Sequence, residues 1–266
     1  MKDRIRAAMG PEIKVISQVA DFSFEKLWYE LADENHFWMQ WRVAALKNQM
    51  RRLNIPWDKE MGGAEIGCGR GVFTRQLRQI TEWTIDGIEL DAEALQFNKH
   101  QRGQLYLYNI LEKNTEFAGR YDFLFIYDVL EHIADTRSFL EACSFHLKPG
   151  GYLFVNVPAI DALKSAYDNA LGHLRRYNRK TLSCELSRPD LKILDISYWG
   201  FFLLPLLGAR KIMTSSKQNH RDIVEKGFRP PGKIINSFLK FLMRIETAVF
   251  QKVPLGISIM AVAQKV

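Results

Sequence analysis

Between Ala64 and Val72 the chain reads Ala-Glu-Ile-Gly-Cys-Gly-Arg-Gly-Val, and no other run constrains its fold as much. A short apolar segment (Ala64, Ile66) carrying the acid Glu65 breaks into Gly67-Cys68-Gly69-Arg70-Gly71, and a helix-like segment, Val72 to Gln79, follows at once. Glycines at alternate positions let a strand turn sharply into a helix and leave no Cβ between the backbone and a ligand. The helix start then offers unpaired N–H groups and a partial positive charge to a polar or anionic group. Two nucleotide turns are poor fits. A dinucleotide fingerprint needs a glycine three positions after the second one, where this chain has Val72, and a P-loop needs Gly-Lys-Ser/Thr. Such turns also join strand to helix with no ligand, so the glycines alone leave both readings open.

From residue 61 onward strand and helix signals alternate, the pattern of a parallel sheet covered on both faces. Trp83 to Glu89 is read as a strand ending in Glu89-Leu90-Asp91, Leu105 to Asn109 as the next, and Tyr121 to Tyr127 as an almost wholly apolar central strand. Asp135 to Leu147 reads as a helix, stopped by Lys148-Pro149-Gly150-Gly151, with a fifth strand from Tyr152 to Val157. Glu89 follows Gly67 at the distance where an acid on the neighbouring strand tip meets a ribose lying over the turn. A carboxylate there accepts from both ribose hydroxyls.

Residues 1–60 show helical spacing and no strand signal: Phe24, Leu27, Trp28 and Leu31, then Trp38, Trp41 and Ala45. They form either two helices packing aromatics onto the main domain or a lid in which Trp38 and Arg42 face the pocket. The charged start, Met1-Lys2-Asp3-Arg4, precedes no apolar core of a secretory signal. Three scattered cysteines, Cys68, Cys143 and Cys184, indicate neither a disulfide framework nor a zinc site, so a reducing, cytoplasmic setting is expected. The net charge of +7 permits anionic partners, and its densest cluster is Arg175, Arg176, Arg179 and Lys180.

With these residues in place the chain resembles a class I S-adenosylmethionine-dependent methyltransferase of the bacterial small-molecule branch. Glu65 to Gly71 matches that family's first motif, and Gly87-Ile88-Glu89-Leu90-Asp91 its ribose-binding strand end. Tyr121 to His132 is similar to the fourth motif, Leu147 to Gly151 to the turn before the fifth strand, and Gly172-His173-Leu174-Arg175-Arg176-Tyr177 to a later segment of that branch. Where the family usually has Asp after the third strand this chain has Asn109, whose carbonyl oxygen still accepts from an adenine amino group. The resemblance implies a Rossmann-like, doubly wound α/β sheet of seven strands with the last one antiparallel. Residues 61–200 with 255–266 would form the cofactor-binding core, 1–60 an N-terminal helical lid and 201–254 a helical insertion. The cofactor would be S-adenosylmethionine, lined by Arg42, Glu65, Gly67, Cys68, Gly69, Gly71, Glu89, Leu90, Asn109, Ile110 and Asp128.

Methyl transfer from a sulfonium needs alignment above all, and a base only where the nucleophile holds a proton. His132, just past the fourth predicted strand, and His173 are the candidate catalytic residues. Asp128, Glu131 and His132, at spacing i, i+3, i+4, resemble a stretch that binds a divalent ion in some quinone-pathway and RNA-end methyltransferases, with Glu in place of Asp128. Many similar stretches bind none, and no metal is assigned. The expected substrate is a small molecule, methylated at oxygen before nitrogen or carbon. An RNA methyltransferase would use the basic run at 175–180 but lacks an Asn/Asp-Pro-Pro-Tyr/Phe motif, and a non-catalytic cofactor-binding partner is the third reading. In the insertion, Ile235, Phe238, Leu239, Leu242, Ile245, Val249 and Val253 form one apolar stripe, with Lys240, Arg244 and Lys252 off it. A packed helix face, an apolar-substrate lid, a homodimer surface and a shallow membrane contact all remain open for it.

Overall fold

The computed structural model describes residues 12–18, 33–98, 102–213, 219, 222–225 and 232–266. The predicted helix carrying Phe24, Leu27, Trp28 and Leu31 lies outside them. The described residues build one mixed sheet of eight strands, not seven, in the order β1-β4-β3-β2-β5-β6-β8-β7. Its strands are β1 (Ile13–Val15), β2 (Gly62–Ile66), β3 (Thr84–Glu89), β4 (Leu105–Leu107), β5 (Tyr121–Tyr127), β6 (Leu147–Pro158), β7 (Leu191–Trp199) and β8 (Ser258–Lys265). The pairs among β1 to β6 are parallel, and β8 runs antiparallel between β6 and the edge strand β7.

The extra strand, β1, corrects the reading of residues 1–60 as strandless. It extends the sheet beyond β4, with Ile16 and Ser17 N–H groups donating to Leu107 O at 3.0 and 3.2 Å. Only three residues long and largely exposed, it buries no face that would print an alternating pattern. A second correction concerns Lys148 to Gly151, which lies within the span of β6. Tyr121 pairs with Leu147 and Phe123 with Tyr152, so this segment bulges out between two paired positions, with Gly150 in the left-handed region at φ 78°.

Alternation along β5 assigns its side chains to two cores. Leu124 and Ile126 pack with Ile66, Val155 and Ala261 on one face, covered by α4 (Thr136–His146) and α6 (Arg179–Leu186). Phe123, Phe125 and Tyr127 face the other way, among Trp41, Leu46, Phe73, Phe154 and Val262. That second face lies under α1 (Phe37–Arg52), α2 (Val72–Arg78) and, further along, α8 (Lys233–Val249). The weakly apolar start of β2 has a steric reason: a Cβ on Gly63 would stand 2.1 Å from the Phe123 ring, which fills the space a side chain there would need.

Helix α1 thus packs aromatics onto the sheet. His36 caps it by accepting from Trp38 N–H at 3.2 Å, and its buried residues include Met39, Trp41, Leu46 and Met50. Trp41 Nε1 donates to Glu246 of α8 at 3.0 Å, and the same carboxylate accepts from Gly200 N–H at 2.7 Å. One buried acid therefore ties α1 to α8 and to the turn at Gly200. Among the described residues of 201–254 are the turn Phe201–Leu203, α7 (Leu204–Met213) and α8, with α3 (Ala92–Gln96) and α5 (Ala166–Ala170) as short helices elsewhere.

Candidate active site

The sheet order reverses between β2 and β5: β3 and β4 extend one way from β2, β6 the other. Ligands of open α/β sheets bind at the carboxyl ends of the strands at such a point. The glycine turn leaves β2 there. Gly67, Gly69 and Gly71 all have positive φ (73°, 48° and 72°), and the turn is closed by Gly67 N–H to Ile88 O and Gly71 N–H to Cys68 O, both 2.8 Å. Asn98, which the motif reading missed, props it from below. Its Nδ2 donates to Gly69 O at 2.8 Å, and its Oδ1 lies 2.4 Å from where a Cβ on Gly71 would stand. The Cys68 side chain points away from the edge into a small core with Leu95 and Leu105, and burial pushes its thiol well up. Any contact of Cys68 with a ligand over the turn falls to its backbone.

Glu89 closes the neighbouring strand. One carboxylate oxygen accepts from Gly69 N–H at 2.8 Å, the other from Leu90 N–H at 2.7 Å and Asp91 N–H at 3.2 Å. Burial raises its pKa, and these three N–H groups oppose the rise. Asp91 accepts from Glu93 and Ala94 N–H groups as the cap of α3. Next along the edge, Asn109 accepts from Leu111 N–H at 3.1 Å, its own N–H donates to Ser17 Oγ at 2.8 Å, and Ile110 turns into the core. Glu65, at the end of β2, accepts from the Thr74 hydroxyl. Burial pushes its carboxyl up to about 7, against the pull of Thr74 and the Arg42 charge.

Beyond β5 the chain takes a strained step: Asp128 sits at φ 58°. Its carboxylate accepts from Arg42 at 2.6 Å and Asn156 Nδ2 at 2.7 Å, so an arginine of the N-terminal helix does reach this edge. The Arg42 guanidinium lies 5.0 Å from the Trp38 ring centre and 4.9 Å from that of Phe73. Three buried polar atoms here have no partner: Arg42 Nε, Tyr127 Oη and Glu131 Oε2. Buried polar groups are rarely left so, and a cluster of them marks a place for a ligand. The sequence signal for Tyr127 was present, a polar tip at the end of an apolar strand.

The turn Leu130–His132 follows. Donor atoms of Glu131, His132 and His173 all lie within 4.8 Å of one another, and the two imidazoles meet edge-on at 4.9 Å between ring centres. Asp128 is absent from this group, because both its oxygens are engaged by Arg42 and Asn156; His173 stands in the place that spacing suggested for it. Burial holds the His132 pKa down at about 4, aided by the neighbouring His173. Asp168, unnoticed in the sequence, accepts from His173 Nδ1 at 3.0 Å and Arg176 Nε at 2.8 Å. Burial would raise its pKa, but the His173 and Arg176 partners hold it well below the usual carboxylate range. Arg176 continues to Ala159 O at 2.8 Å, Arg179 to Ile196 O at 2.7 Å, and Arg175 pairs with Glu185. The basic run at 175–180 is thus largely consumed in holding this segment to the edge.

A doubly wound sheet with a reversed last strand, a glycine turn at its switch point and an acid on the adjacent strand tip define the class I methyltransferase fold. A family model described as a methyltransferase domain matches residues 38–196, more than half of the chain. The chain belongs to that family of S-adenosylmethionine-dependent methyltransferases, and S-adenosylmethionine is its cofactor. Among curated relatives, the ubiquinone biosynthesis O-methyltransferase of Bordetella avium is 30% identical over 115 residues, 38% of this chain and 47% of the relative. That of Colwellia psychrerythraea is 27% identical over 175 residues, 59% of this chain and 70% of the relative. The match to the first of them spans about half of that relative's length. In fold, the chain is similar to Haemonchus contortus phosphoethanolamine N-methyltransferase 2 in complex with S-adenosyl-L-methionine, with a TM-score of 0.53 at 17% identity over 83% of this chain and 52% of the other.

Proposed function

We propose that this chain transfers the methyl group of S-adenosylmethionine to a hydroxyl oxygen of a small molecule. The observation that carries the reading is the grouping of Glu131, His132 and His173 at the sheet edge that bears the glycine turn. In this reading the cofactor lies over Gly67 to Gly71, Glu89 takes the ribose hydroxyls, and Asn109 with the backbone of Ile110 borders the adenine. Glu65, Arg42 and Asp128 border the methionine end. The S–CH3 bond breaks as the O–CH3 bond forms, S-adenosylhomocysteine leaves, and the hydroxyl proton passes to His132. A neutral imidazole is needed for that step, and the low pKa of His132 supplies one at neutral pH. Holding acceptor and methyl in line is worth on the order of 7–11 kcal/mol. The relatives named as O-methyltransferases support oxygen as the acceptor atom, and the internal use of Arg175, Arg176 and Arg179 weighs against an RNA substrate.

One observation favours a second reading of the same cluster. The orphaned Oε2 of Glu131 beside two imidazoles fits a divalent cation, and one carboxylate with two imidazoles suits zinc, manganese or iron. Asp168 on Nδ1 of His173 is the outer partner that a ligating histidine usually has. Bound there, such an ion would supply Lewis-acid charge to the acceptor oxygen. The test is transfer of labelled methyl to a panel of phenols, alcohols and amines, with and without prior chelation. Label on oxygen, with a loss of about 10²–10⁴-fold in His132→Ala, is expected. Label confined to amines, or none at all, overturns the reading. Calorimetric titration with zinc or manganese, flat in the wild type, would remove the cation.

A further inference from the structure

Helix α8 is turned the wrong way for a helix that serves only as packing. It buries Leu239, Met243 and Glu246 against the molecule. At 100° per residue these define one side, and the solvent-facing surface carries Ile234, Phe238, Phe241 and Val249, from the far side (Ile234, Phe241) round to one flank (Phe238, Val249). Those four are 87%, 57%, 56% and 67% exposed. Beside them on the outer surface runs a second arc with Lys233, Lys240 and Arg244. The only acid of the helix, Glu246, points inward and is held by Trp41 and Gly200. The turn that Glu246 grips exposes Phe201 as well. An apolar patch of this kind marks a docking surface.

We infer that this face of α8 seats the protein on an anionic lipid surface, with the aromatic arc entering the headgroup boundary and the cations meeting lipid phosphates. Sign of charge decides between occupants. A second copy docked on the same patch would set Lys233, Lys240 and Arg244 against their own counterparts, with no carboxylate on that face of the helix to pair with them. A bilayer of anionic lipids offers the opposite charge together with an apolar layer, which is what a helix with large apolar and basic faces binds. No described helix is long and apolar enough to cross a membrane, so the contact is one of lying on the surface.

The experiment is vesicle co-sedimentation of the full chain with phosphatidylcholine alone and with phosphatidylcholine mixed with phosphatidylglycerol. Binding is expected only to the mixed vesicles and to weaken as salt is raised. The double variant Lys240→Glu/Arg244→Glu, exposed or half-exposed at both positions, is expected to bind about thirtyfold less, at about 1 kcal/mol per cation lost. Phe238→Ser/Phe241→Ser is expected to lose binding outright while cofactor affinity and melting temperature hold. Equal binding to both vesicle types, or binding to neither, overturns the proposal. So does analytical ultracentrifugation showing a dimer that Phe238→Ser/Phe241→Ser splits.

Discussion

Glu89 holds the glycine turn to the strand tip, and in the proposed reading the same carboxylate takes the ribose. Its carboxylate already holds Gly69 and Leu90 by their N–H groups, and its remaining lone pairs are those a ribose would use. Glu89→Ala is expected to weaken S-adenosylmethionine binding by about 10- to 100-fold, the worth of hydrogen bonds to a charged group. Unchanged affinity in calorimetry would place the sugar elsewhere. Glu65 gives a pH signature. Its carboxyl titrates near 7, so the ionised fraction grows as pH rises through neutrality, and a ligand bearing an ammonium and a sulfonium favours that form. Affinity should therefore tighten from pH 6 to pH 8, and Glu65→Gln should flatten the slope. Gly71→Ala is expected to cost about 1–3 kcal/mol in urea unfolding, since its φ of 72° strains an alanine and the new methyl meets Asn98. Asn98 and Asp168 were not legible beforehand. Each acts through a partner far away in the sequence, and an isolated polar residue carries no spacing to read.

Among the elements, those with a full period were readable and those without were not. Phe123, Phe125 and Tyr127 against Leu124 and Ile126 make β5 apolar on both sides, and it was read with its true ends. In α1 the spacing of Trp38, Trp41 and Ala45 marked a helix but not its burial: Trp41 is buried, Trp38 and Ala45 are half-buried, and Met39, Leu46 and Met50 bury outside that stripe. Strand β1 left no trace for want of a buried face, and the bulge in β6 looked like a terminus because Pro and Gly signal both. That Trp41 of α1 and Gly200 share the carboxylate of α8 could not be seen in any window of sequence. Glu246→Ala leaves the Trp41 indole and the Gly200 N–H buried without an acceptor. It is expected to lower unfolding free energy by about 2–4 kcal/mol, measured by urea denaturation. Glu246→Gln, which keeps an acceptor oxygen, should recover part of it.

For the molecule as a unit, cofactor and stability are linked. A ligand that binds only the folded chain adds about 2.7 kcal/mol at a hundredfold excess over its Kd, which for a chain of this size raises the melting temperature by about 5–10 °C. S-adenosylmethionine should produce that rise in differential scanning fluorimetry, and NAD should not, because the third glycine falls one place too early for a dinucleotide. The overall architecture was the most legible level of all, since alternation of strand and helix signals over more than a hundred residues admits few topologies. The place of β8 in that architecture has a consequence for synthesis. Residues 258–265 fill the gap between β6 and β7, joining Leu153 to Ala263 on one side and Ile193 to Ala263 on the other. While a ribosome is still reading the codons ahead of Ser258, the emerging chain carries two raw sheet edges facing an empty lane, and each is a template for a neighbouring nascent chain. Premature stop codons anywhere upstream of that point should give insoluble product, however intact the glycine turn they leave behind.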